Sequence, residues 1–190
     1  MFRRIFLILV LAPGAAAADF ATDLARAAEE RAAHRVVYDP SYVRLAYPMG
    51  DVPDDRGVCT DVVIRALRGV GVDLQQLVHE DMRAAFRKYP KIWGLTRTDR
   101  NIDHRRVPNL ETFFTRRGAS LPVSGDPADY KPGDIVSWRL SGSGLAHIGV
   151  VTTRAGPSGA PMIAHNIGAG TRVEDMLFDH PISGHFRYRP

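Results

Sequence analysis

The 190-residue chain has one cysteine, no long hydrophobic run and little charge bias, and each scarcity removes a class of protein. A single cysteine excludes an intrachain disulfide framework. The apolar stretch from Ile5 to Leu11 stops before Pro13 and Gly14, whereas a membrane-spanning helix needs roughly 20 apolar residues. The net charge of +4 includes Arg3 and Arg4, which sit in the N-terminal segment expected to be removed. Without them the basic excess is about two, too small to indicate a nucleic-acid partner. There is no phosphate-binding loop, and Gly168-Ala169-Gly170 lacks the helix and further glycine of a dinucleotide site, so it reads as a turn. His34, His79, His104, His180 and His185 follow no metal-ligand spacing. Repeats, low-complexity tracts and linkers are also missing, which points to one domain over residues 19–190.

The opening MFRRIFLILVLAPGAAAAD pairs two arginines with a short apolar run and then small residues. That is the pattern of a secretory signal peptide over residues 1–18, cut after Ala17 or Ala18. No cysteine adjoins the cut, so a lipid anchor is not expected, and neither is membrane insertion once the segment is removed. The expected location is periplasmic or secreted. A lone thiol there is exposed to oxidation, so it is either buried and inert or has a task.

The Ala-rich stretch from Thr22 to about His34 predicts a helix, and residues 36–57, broken by Pro40, Pro48, Gly50, Pro53 and Gly57, predict a long loop. A second helix starts around Val58 to Thr60, with Val62, Val63, Ala66, Leu67 and Val70 on one face. Asp73 with Gln76 resembles a capping box for a third, which carries Leu74, Val78, Met82 and Phe86 inward and ends before Pro90. The polar run TRTDRNIDHRR reads as a surface loop, and Asn109 as the cap of a short helix bearing Leu110, Phe113 and Phe114. Strands are expected at Ile135 to Trp138, Ala146 to Thr152, Met162 to Asn166 and His185 to Arg189. Helices first and antiparallel strands second describe an α+β domain with its helices packed on one face of a small antiparallel sheet.

Cys59 stands in GVCTDVV, where a loop becomes a helix. The free N–H groups and positive end of that helix favour a thiolate and offer an oxyanion site. Asp61 reads as a first-turn acid complementing the dipole. His147 opens the strand AHIGVV, with Gly149 and Val151 on its own face and Ile148 and Val150 on the other. On the next strand His165 and Asn166 project to opposite faces, so only one of them can orient the His147 imidazole. His165 is the favoured partner and Asn166 the alternative. Arg105 and Arg106 could pair with substrate carboxylates, and Asp54 and Asp55 with substrate amines.

These residues carry a resemblance. GVCTDVV at a helix start, then KPGDIV, AHIGVV and IAHN, resemble the NlpC-type branch of the papain-like cysteine peptidases. More closely, GDVPDDRGVCTDVVIRAL, LVHEDM, NIDHRRVPNL, PGDIVSW and HNIGAG resemble the bacterial domain-of-unknown-function family 1287, from about Tyr38 to Tyr188. The NlpC pattern implies a papain-like fold with Cys59 as nucleophile, His147 as base and His165 as third polar residue. It also implies a cell-wall peptide or glycopeptide substrate, with no metal or cofactor. Val58-Cys59-Thr60-Asp61 departs from the Asp-Cys-Ser-Gly of that pattern. Two rival readings follow from the same residues: a zinc-dependent hydrolase with Cys59, His147 and His165 as ligands, and a wall-binding module on a degenerate peptidase fold.

Overall fold

The computed structural model describes residues 14–190, with side chains from Phe20 onward. The expected signal peptide lies outside the described residues apart from the helical backbone that begins at Gly14. Helix α1 (Gly14–Glu30) continues as a 3₁₀ turn to Ala33, so Thr22 and Asp23 lie inside it rather than at its cap. The stretch that follows is irregular except for the two-residue strands β1 (Val37–Tyr38) and β2 (Arg56–Gly57), which pair in parallel. Helix α2 (Cys59–Gly69) comes next, then α3 (Leu74–Ala85). The Asp73 carboxylate accepts from the backbone N–H groups of Gln75 and Gln76, capping α3 as its position suggests. Helix α4 (Val107–Arg116) starts two residues before Asn109. Pro108 in the first turn, whose missing N–H costs nothing there, sets that earlier start.

The remaining strands are β3 (Ser120–Leu121), β4 (Ile135–Arg139), β5 (Ala146–Ala155), β6 (Pro161–Asn166), β7 (Thr171–Glu174) and β8 (Ile182–Phe186). They form an antiparallel sheet in the order β3-β8-β4-β5-β6-β7. The last strand therefore sits earlier than His185 to Arg189, and β3 and β7 were not expected. Among the described residues no helix is long and apolar enough to cross a membrane.

Strand alternation divides the core in two. Ile135, Ile148, Val150, Ala164 and Phe186 point to the helices and pack with Val63, Leu67, Leu110, Phe113 and Phe114. Val136, Trp138, Val151 and Ile163 point the other way, onto Tyr130, Met176 and Leu177 from the connecting segments. The protein is an α+β fold with its helices on one face of the sheet. Burying side chains of this size contributes roughly 1.5–3 kcal/mol each, which anchors α2 and α4 to the sheet.

Candidate active site

Cys59 is the first residue of α2 and is 6% exposed. It sits on the helix side of the sheet, where β5 and β6 part. Their pairing runs from Ala155 and Pro161 only as far as Val150 and Ala164, so His147 to Gly149 stay paired to β4 and His165 to Asn166 to β7 but not to each other. The α2 start fills this seam: Asn166 Nδ2 donates to the Gly57 carbonyl at 3.3 Å, and the Ile148 N–H points at the sulfur.

The thiol is not lowered, contrary to what its helix position suggests. Burial pushes it up to about 12 and the Asp61 charge adds to that, while the N–H groups of Ile148, Thr60 and Cys59 pull only partly back. Lost hydration outweighs the helix terminus. Asp61 does more than complement the dipole. Its Oδ2 accepts from the Val58 N–H at 2.6 Å, and both its oxygens take bonds from Arg105 at 2.9 Å.

His147 and His165 come together on the opposite face of the sheet. His147 Nε2 lies 3.0 Å from His165 Nδ1, and His165 Nε2 lies 2.9 Å from Glu174 Oε2. His165, rather than Asn166, shares the face of His147; Asn166 shares that of Cys59. Trp138 sits beside His147 with ring centres 5.8 Å apart. Burial lowers His147 to about 3, with His165 and His180 adding to it, so the ring is neutral at ordinary pH. Burial also lowers His165, against the opposing charge of Glu174. Cys59 is not hydrogen-bonded to either imidazole. What joins the two parts of the site is the backbone, because the N–H at the sulfur belongs to the residue after His147.

Gly149 permits this arrangement. A Cβ there would lie 2.6 Å from Ile163 Cγ2, 2.9 Å from the Ala164 carbonyl oxygen and 3.1 Å from His165 Cβ. Only a residue without a side chain lets β6 bring His165 over β5.

A cleft of about 1160 Å³ opens at Cys59, lined by Tyr38, Trp93, Arg106, Glu111, Arg139 and Leu145 among others. Arg106 stacks on Trp93 at 4.2 Å and pairs with Asp103 at 3.4 Å. Arg139 grips Glu111 through two bonds of 2.8 and 2.9 Å, beside Ser137 and Ser183. Of the four residues expected to hold substrate, Arg106 lines the cleft with its guanidinium stacked on Trp93. Arg105 touches the cleft, but its guanidinium is committed to Asp61 with both side chains 3% exposed. Asp54 and Asp55 are exposed and do not line the cleft. The polar run expected to be a solvated loop turns inward at Asp103, His104 and Arg105, because Asp61 offers Arg105 a buried partner and the Asp99 N–H donates to Asp103.

Among the described residues no three of histidine, cysteine, aspartate and glutamate converge to hold a metal ion. The zinc reading fails on this geometry, since Cys59 and the two imidazoles lie on different faces and the facing ring nitrogens are bonded to each other. Glu174, Glu111 and Trp93 are the site residues the sequence did not give up. For Glu174 a signal existed: a Gly-x-Gly turn followed by alternating TRVE after a strand is a hairpin pattern.

The comparisons with known proteins agree with the motifs. Residues 25–188 match the family described as Domain of unknown function (DUF1287). The chain belongs to DUF1287. This DUF1287 protein is 57% identical over 165 residues to the "Uncharacterized protein YijF" of Escherichia coli K12, covering 87% of this chain and 80% of that one. It is also similar to the solved structure of NlpC1 from Trichomonas vaginalis, with a TM-score of 0.46 and 14% identity over 88% of this chain. The chain spans 44% of that longer protein.

Proposed function

We propose that this protein is an exported thiol hydrolase that cleaves an amide bond, with a cell-wall peptide as substrate. The observation that carries the reading is the state of His147 Nδ1. Among the described residues it has no hydrogen-bond partner, and the residue is 2% exposed. A neutral imidazole whose other nitrogen is held by His165 thus keeps an uncommitted nitrogen, one residue from the peptide N–H that meets Cys59. In this reading His147 takes the Cys59 proton as sulfur attacks the carbonyl carbon, a transfer that requires the two side chains, on opposite faces of the sheet at rest, to be brought together. The N–H groups at the start of α2 receive the oxyanion; His147 then protonates the leaving amine, and water releases the acyl group. The thiol need not ionise beforehand, because proton removal accompanies attack.

Arg106 on Trp93, and the Glu111–Arg139 pair across the cleft, suit a ligand with both charge and apolar surface. The motif resemblance, together with the expected leader, directs the reading to wall peptides outside the cytoplasm. Purified protein incubated with peptidoglycan fragments tests it. Cys59→Ser and His147→Ala should each reduce cleavage by roughly 10³-fold or more, and cleavage unchanged by either substitution would sink the hydrolase.

The second reading, a binding module that keeps the fold without turnover, is favoured by one observation: the resting thiol is neutral and not bonded to an imidazole. Fragment binding by the native chain with no product, unaltered in Cys59→Ser, would select it.

A further inference from the structure

We infer that Glu174 is a positioning residue that sets the protonation pattern of the His165–His147 pair, so that His147 presents a bare Nδ1. This rests on the proposal that His147 acts as the base.

The argument follows donors and acceptors along the chain. A carboxylate offers only acceptors, so His165 Nε2, 2.9 Å from Glu174 Oε2, must carry the hydrogen. A neutral imidazole has one N–H, so His165 Nδ1 is then an acceptor. His147 Nε2, 3.0 Å away, must therefore donate. That leaves the His147 Nδ1 lone pair free, as a general base requires. The ring centres are 5.1 Å apart and the facing nitrogens 3.0 Å, which puts those two nitrogens between the rings. Among the described residues no other hydrogen-bond partner fixes the direction. Asn166 is turned to Gly57, and Arg172 approaches Glu174 at the other oxygen, Oε1, at 3.6 Å. Reversing the bond at Glu174 reverses every proton after it.

The test uses the full chain with ¹⁵N-labelled histidine. At pH 7 the wild-type spectrum should show His147 as the Nε2–H tautomer. Glu174→Gln, whose amide oxygen can still accept, should keep that pattern. Glu174→Lys puts a donor in place of an acceptor and should convert His147 to Nδ1–H. Alkylation of Cys59 by iodoacetamide should then slow roughly tenfold or more in Glu174→Lys and change little in Glu174→Gln. Nδ1–H in the wild type overturns the inference, as does a tautomer indifferent to the lysine. If the tautomer reverses while alkylation is unmoved, the positioning role stands and the pairing of Cys59 with His147 falls. The wild-type spectrum decides the matter even if the lysine variant does not fold.

Discussion

Cys59 shows how strongly a residue's chemistry depends on a few ångströms of surroundings. A helix start alone would lower the thiol, but enclosure raises it to about 12. The native thiol should therefore alkylate much more slowly than the same residue in urea at pH 6–8, with a rate still rising at pH 9. Equal rates for native and unfolded protein would show that the sulfur is not enclosed. Beside it, the Asp61–Arg105 pair holds α2 to the segment before α4 with both charges out of water. Removing one partner strands the other, so Asp61→Ala or Arg105→Ala should each cost about 3–5 kcal/mol in urea unfolding. The double substitution should cost well below the sum, which a double-mutant cycle would read directly.

Among the elements, β5 and β6 decide whether a site exists. Where they are laddered the sheet is ordinary core; where they part, one face receives the α2 start and the other holds the imidazole pair. Gly149→Ala would force the strands apart at His165 and lengthen its bond to His147. On the proposed mechanism cleavage should fall roughly 10²-fold as His147 loses its orientation, whereas stability should drop only by the 1–3 kcal/mol or so typical of overpacking. Loss of fold without a separable loss of activity would assign Gly149 to packing alone. The helices were legible because α2 and α3 keep an unbroken apolar spacing, and Asp73 caps as its position suggests. β3 and β7 were not, since strands of two and four residues at the sheet edges carry little period to read. The inward turn at Asp103 to Arg105 was hidden for another reason: three consecutive polar residues look solvated until a buried carboxylate from a distant segment accounts for one of them.

The whole molecule should respond to acid through its buried histidines. Burial lowers both His104 and His147 to about 3, far below the value of an unfolded chain. The unfolded state then binds more protons, so their stabilising contribution is complete above about pH 6.5 and is lost as pH falls toward 3. Asp103 acts in the opposite sense, because burial raises it to about 6 and its cost eases on acidification. The two imidazoles outweigh the one carboxyl, and going from pH 7 to pH 5 should cost about 2–3 kcal/mol. His104→Gln should flatten part of that loss; a stability constant between pH 5 and 7 would contradict these buried neutral rings.

By itself the sequence determined the elements and the short list of reactive side chains, because helix and strand periodicity, caps and a solitary thiol are local properties written in neighbouring residues. It also carried the family, through motifs spread along the chain. Tertiary structure decided which side of the sheet each reactive group faces, that Arg105 belongs to Asp61, and that Glu174 stands behind His165. It also decided whether the thiol is charged. Solvation, and pairing between residues tens of positions apart, depend on what the folded chain brings together, and no local pattern encodes that.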